Sequence, residues 1–133
     1  MENKLRLEIV TPHGRVLSEE VDYVSATGTE GEFGVLPGHV NFITILKICM
    51  LSYNMGTETR YAFINGGYAE VKDDQVIILA DSAELSDAID LQRALAARER
   101  AEERMRQQEK MDIGRATAAL ERATIRIQVA DKK

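Results

Sequence analysis

The hydrophobic period of this chain changes once, near residue 86, and that change limits the fold more than any other feature. Before it, apolar residues alternate with polar ones, as Leu5, Leu7 and Ile9 do with Arg6 and Glu8. That is the period of a half-buried strand. After it, apolar residues recur every three or four positions, the period of an amphipathic helix. Both prolines, eight of nine glycines and all seven aromatic residues lie on the first side. The chain therefore reads as α+β. An N-terminal antiparallel β-sandwich or barrel spans residues 1–85, and a C-terminal antiparallel two-helix hairpin spans residues 86–133.

Within the first part, turn residues punctuate short apolar runs. Thr11-Pro12-His13-Gly14 and Pro37-Gly38 are turns, because proline presets φ and glycine accepts positive φ. Strands are expected over Val16–Thr27, Phe42–Leu46, Ile48–Tyr53, Arg60–Ile64, Tyr68–Lys72 and Gln75–Ala80. The last two form a hairpin closed by Asp73-Asp74. Val76-Ile77-Ile78-Leu79 is apolar on both faces, which suits a strand covered on both sides. Gly28, Gly31 and Gly34 match neither a dinucleotide fingerprint nor a P-loop and read as turn or bulge positions.

The second part is built differently. Ser86 or Asp87 is the expected cap of the first helix, with Asp90 completing a box if Asp87 is the cap. Leu91, Leu95, Ala101 and Met105 follow one face, with Ala94 and Ala97 beside them. Gln107–Met111 is polar enough for a reversal, and Asp112 can cap a second helix carrying Ile113, Ala116, Leu120, Ala123, Ile127 and Ala130 on one side. Ten of the 20 apolar residues in 87–133 are alanine. An alanine face supports helix by itself but contributes little burial, at about 0.8 kcal/mol per buried CH₂. Such a hairpin suits an arm that can dock or extend.

Charge and composition exclude several functions. With 17 Lys+Arg against 22 Asp+Glu the net charge is −5, the wrong sign for nucleic acid as the main partner. The longest apolar stretch, Phe42 to Leu51, is interrupted by Lys47 and is too short to span a bilayer, so no direct membrane insertion is expected. No secretory leader is evident, and the single Cys49 excludes an internal disulfide, so an intracellular protein is expected. His13 and His39 lie in separate turns, and no Cys or His cluster has metal spacing. Neither a catalytic residue nor a metal site is expected. The arginines are more suggestive: Arg93 and Arg100 are seven apart on the first helix, and Arg122 and Arg126 are four apart on the second. If the hairpin closes, these pairs can converge on an anion, because guanidinium groups give paired donors to phosphate.

Three segments carry a family resemblance. Gly31-Glu32-Phe33-Gly34-Val35-Leu36-Pro37-Gly38-His39 resembles the G-E-x-G-x-L-P-G-H segment of the epsilon subunit of the F-type ATP synthase. Asn65-Gly66-Gly67-Tyr68-Ala69-Glu70-Val71 is similar to its Gly-Gly-aromatic-x-Glu-Val hairpin. Ile89-Asp90-Leu91-Gln92-Arg93-Ala94 is similar to the I/L-D-x-x-R-A nucleotide motif of bacterial epsilon subunits, and favours the bacterial form over the chloroplast homologue. The three occur in family order over essentially the whole chain.

The resemblance implies a rotor subunit without catalysis of its own. It implies a sandwich attached to the gamma subunit and the c-ring, helping to couple proton-driven or sodium-driven rotation to ATP synthesis. It also implies a helical arm that extends into the alpha/beta hexamer to oppose ATP hydrolysis, at the cytoplasmic face of the bacterial plasma membrane as a peripheral F1 component. A regulatory ligand, ATP with or without magnesium, is implied, and no prosthetic group. Carried over residue by residue, its contacts fall on Ile89, Asp90, Arg93 and Ala94 in the motif, and on Glu84, Arg100, Arg122 and Arg126 outside it. The arginines are assigned to phosphate and the Glu84–Asp90 neighbourhood to adenine. Gly114 and Ile125 depart from the family pattern. A free-standing ATP-sensing module using the same arm is the rival reading.

Overall fold

The computed structural model of the chain describes residues 4–39, 41–106 and 113–132. Eight strands precede the helices: β1 (Leu5–Thr11), β2 (Gly14–Val21), β3 (Tyr23–Gly28), β4 (Gly31–Val35), β5 (Phe42–Met55), β6 (Glu58–Lys72), β7 (Gln75–Leu79) and β8 (Ala83–Leu85). They are hydrogen-bonded in the order β2-β1-β7-β6-β5-β3-β4, with β8 on β6. The long β5–β6 hairpin is shared by both layers of the resulting sandwich: the end of β6 pairs with β7, its middle with β8, and β5 with β3.

The core confirms the alternation seen in β1. Leu5, Leu7 and Ile9 are buried and meet Val21, Val24, Val35, Leu51, Ile64, Val71, Val76 and Ile78 in one apolar cluster. The Asp73-Asp74 hairpin also forms as expected, with φ of 51° and 61° and Lys72 opposite Gln75.

Four expectations for the sandwich are corrected. The sheet is not wholly antiparallel, because β1 and β7, far apart in sequence, pair in parallel. The run Val16–Thr27 is two strands, divided at Asp22, whose carboxylate accepts from Lys4 Nζ and from the Gly56 backbone N–H (2.7 Å). The segments expected around Lys47 and around Gly66-Gly67 are continuous strands, β5 and β6. Gly66 and Gly67 take φ of 69° and 105° within β6, a conformation glycine alone adopts without strain. Finally, β7 is covered on one side only. Leu79 is 37% exposed, and its cross-strand neighbours Tyr68 and Ile45 are 47% and 62% exposed, so these three form an open apolar row.

A single 3-10 turn at Ser86–Ala88 leads to α1 (Leu91–Arg106), and α2 (Ile113–Ala130) follows. The cap of α1 is Asp90, not Ser86 or Asp87: its Oδ1 accepts the Arg93 backbone N–H at 3.1 Å. The 3-10 turn absorbs the earlier candidates, and Ile89 is extended between turn and helix. The expected reversal at Gln107–Met111, the Asp112 cap and the Ile113 side chain lie outside the described residues.

The helices meet along alanines. Ala94 and Ala101 of α1 and Ala116, Ala123 and Ala130 of α2 are buried at seven-residue spacing, whereas Leu91 and Met105 are exposed. Of the face expected through Leu91, Leu95, Ala101 and Met105, Ala101 is buried and Leu95 half-buried, while Leu91 and Met105 turn outward. Ala94, expected beside that face, joins the buried line, because small side chains permit the closer approach. An adjoining face of α2, sharing Ala130 with the seam, docks on the sandwich. Val129 and Ala130 pack with Ile89 and Phe63, flanked by Ile48, Met50, Tyr61 and Ile125. Ile125, a departure from the family pattern, is thus part of the docking surface. No described helix is long and apolar enough to cross a membrane.

Candidate functional site

The arginine-bearing faces of the two helices converge beside β8. A cleft of about 300 Å³ is lined by Glu84, Ala88, Asp90, Arg93, Ala94, Ala97, Arg100 and Arg126. Arg93, Ala94, Ala97 and Arg100 project from one side of α1, at the spacing that aligns residues on a helix. Small side chains at Ala88, Ala94 and Ala97 leave the space, and charged ones form its rim.

Six of the eight residues carried over from the resemblance are on this wall: Glu84, Asp90, Arg93, Ala94, Arg100 and Arg126. Two are not. Ile89 is 5% exposed and points into the apolar cluster with Phe63 and Val129, so it anchors the cleft rather than lining it. Arg122, one turn before Arg126, is half-buried but absent from the wall. Ala88 and Ala97 were not among the expected site residues. Ala97 had a readable signal, lying midway between Arg93 and Arg100 on their face. Ala88 had none, because its position depends on the 3-10 turn.

The acidic and basic groups differ in commitment. Three guanidiniums face two carboxylates around the cleft, an excess of one positive charge. Asp90 is engaged in capping α1. Arg126 Nε donates to both oxygens of Glu84, at 3.2 and 3.3 Å, and the Arg126 guanidinium carbon lies 4.4 Å from the centre of the Phe63 ring. Arg93 and Arg100 are exposed and form no ion pair with a described residue. Among the described residues no group of three His, Cys, Asp or Glu side chains can hold a metal. Cys49 lies apart in the core, where burial pushes its thiol pKa up. The cleft is chemically suited to hold a polyanion across two helices.

Comparison with known proteins covers the same ground. Residues 4–86 match the family described as ATP synthase, Delta/Epsilon chain, beta-sandwich domain. Residues 87–131 match ATP synthase, Delta/Epsilon chain, long alpha-helix domain. The chain is 53% identical over 130 residues to the ATP synthase epsilon chain of Nitratidesulfovibrio vulgaris (strain DP4), with 97% of each chain covered. It is 53% identical over 133 residues to that of Syntrophobacter fumaroxidans, with 99% of each covered. Among solved structures it is similar to a chain of the Euglena gracilis mitochondrial ATP synthase (OSCP/F1/c-ring), with a TM-score of 0.83 and 25% identity, covering 98% of this chain and 82% of that one. A chain of the Tetrahymena thermophila mitochondrial ATP synthase central stalk and c-ring shares the fold, with a TM-score of 0.59 and 16% identity, covering 99% of this chain and 98% of that one.

Proposed function

Because this chain belongs to the epsilon-chain family of ATP synthases, a central-stalk subunit, we infer that its helical arm brakes ATP hydrolysis and that bound ATP favours the docked hairpin. The subunit itself has no catalytic role in this reading. It is a peripheral member of the F1 sector, on the cytoplasmic face of the bacterial plasma membrane. Its sandwich attaches to the gamma subunit and the c-ring, a role supported by the open apolar row of Ile45, Tyr68 and Leu79. When the arm extends, its basic segment, with 11 Lys+Arg against 9 Asp+Glu in residues 86–133, meets acidic surfaces of the alpha/beta hexamer.

One observation carries the regulatory reading. Arg93 and Arg100 come from α1 and Arg126 from α2, so the cleft exists only while the two helices lie together on the sandwich. A ligand that needs all three binds the docked form and not the extended one. At 100 times its dissociation constant such a ligand stabilises the docked form by about 2.7 kcal/mol. That is enough to reverse a preference of about 1–2 kcal/mol for the extended arm. The alanine seam supports two arrangements of similar energy, since little apolar area is lost when it opens.

Two measurements test this. Titration calorimetry with ATP on the wild type, Arg93→Ala and Arg126→Ala is expected to show weaker binding in both variants; equal affinity in all three refutes the cleft as the ATP site. ATP hydrolysis by the assembled synthase is expected to rise when residues 87–133 are deleted. Unchanged hydrolysis refutes the brake.

A further inference from the structure

The pairing of Arg126 with Glu84 leaves an unused edge. Only Nε donates to the Glu84 carboxylate, and no described residue accepts from the two Nη groups. One face of the guanidinium lies against Phe63, which is fully buried. Phe63 and Glu84 are themselves direct cross-strand partners on β6 and β8, so their side chains stand on the same face of the sheet. A pair of cross-strand neighbours therefore holds one guanidinium by its Nε edge and by one face. The remaining edge carries the paired N–H groups that match the oxygens of a phosphate, and Arg126 lines the cleft.

We propose that Glu84 and Phe63 are positioning residues that hold Arg126 as a preset fork for a phosphate group. This rests on the reading of the cleft as an ATP site and gives Glu84 a role through Arg126 within it. An arginine fixed on two sides loses little side-chain freedom on binding. By analogy with residues that orient metal ligands, where loss costs about 10- to 100-fold in affinity, an effect at the lower end of that range is expected. Glu84 also carries a negative charge close to an anion site. If it acted by charge alone, removing it would strengthen anion binding, by up to about fivefold for a partly exposed group. The two roles predict opposite signs.

The experiment uses the full chain with two probes, ATP and inorganic tripolyphosphate, titrated into wild type and Glu84→Ala. Positioning predicts that both probes weaken by the same factor, about tenfold, although the substitution removes a negative charge. A fall for ATP alone assigns Glu84 to the base and overturns the proposal. Tripolyphosphate affinity that rises or stays constant overturns it too, as does a wild type that binds ATP but not tripolyphosphate. A wild type that binds neither refutes the nucleotide reading itself. Phe63→Leu, which keeps the site apolar while removing the ring, guards against simple undocking in the first variant. It is expected to weaken tripolyphosphate binding by a larger factor in the wild-type background than once Arg126 is alanine, where only its contribution to docking remains; an equal loss in both backgrounds overturns the role of the ring. In the wild type, the Arg126 Nε–Hε resonance is expected to stay in place as tripolyphosphate is added, while the Nη resonances shift. Loss of the Nε–Hε position would show that the anion displaces Glu84, and overturns the preset fork.

Discussion

Asp90 accepts the backbone N–H of Arg93 at 3.1 Å, so one rim residue of the cleft is also the cap that starts the helix carrying two of its arginines. The cap satisfies an N–H that would otherwise lack a partner at the helix start. Asp90→Ala is expected to lower stability by about 1 kcal/mol in urea denaturation. Asp90→Asn keeps a good capping side chain and is expected to stay within a few tenths of a kcal/mol of wild type. Equal losses in both variants would show that the charge, rather than the cap, is what α1 requires.

Gly67 combines a φ of 105° with a close approach that leaves no room for a side chain. A Cβ added there would lie 2.0 Å from the Leu79 carbonyl oxygen and 2.8 Å from Ala80 Cα, both backbone atoms that cannot swing aside. Gly67→Ala is expected to destabilise the sandwich by at least about 2 kcal/mol, from backbone strain and steric overlap together. Thermal unfolding of the variant checks this, and an unchanged midpoint would refute the constraint.

Asp22 gives the sandwich a pH dependence of defined sign. The hydrogen bond from Lys4, then that from the Gly56 N–H, holds its carboxyl below the usual value of 3.8. A depressed folded-state pKa means that the unfolded chain binds the proton more readily. The stabilisation is therefore complete above the unfolded pKa and is lost as pH falls through the folded one. Compared with Asp22→Asn, the wild type is expected to be more stable at neutral pH, and the gap is expected to shrink below about pH 4. Urea denaturation of both proteins across that range reads the difference directly; a gap independent of pH would remove Asp22 from the account.

Val129 is fully buried where α2 meets Phe63 and Ile89. Val129→Ala removes two methyl groups from that contact, and is expected to weaken docking of the arm by about 2 kcal/mol. In the assembled synthase the substitution is expected to lower ATP hydrolysis and to raise the ATP concentration needed to relieve the brake. A hydrolysis rate and an ATP response equal to wild type would separate docking from regulation.

Much of this was legible in the chain itself because it depends on local rules. The alternation of Leu5, Leu7 and Ile9 placed those residues in the core, and the Asp73-Asp74 turn formed where left-handed geometry was expected. The seven-residue spacing of Arg93 and Arg100 brought both onto one helix face, and the family resemblance pointed to six residues now found on the cleft wall, three of them in the motif (Asp90, Arg93 and Ala94) and three outside it (Glu84, Arg100 and Arg126).

Other features depend on partners distant in sequence. The parallel pairing of β1 with β7 joins segments separated by most of the sandwich, and no local pattern encodes it. The burial of Ala94 and Ala101 rather than Leu91 and Met105 was set by how closely two helices can approach, a property of the pair rather than of either sequence. Ile89 was drawn into the apolar cluster because burial against Phe63 and Val129 outweighs exposure at a polar rim. The hold of Glu84 and Phe63 on Arg126 requires β8 beside β6 and α2 across both, so only the assembled fold could create it. Periodicity, capping chemistry and charge determined the elements and their faces. Tertiary structure decided which faces meet, because burial and close approach are shared between segments and are settled only when those segments are in contact.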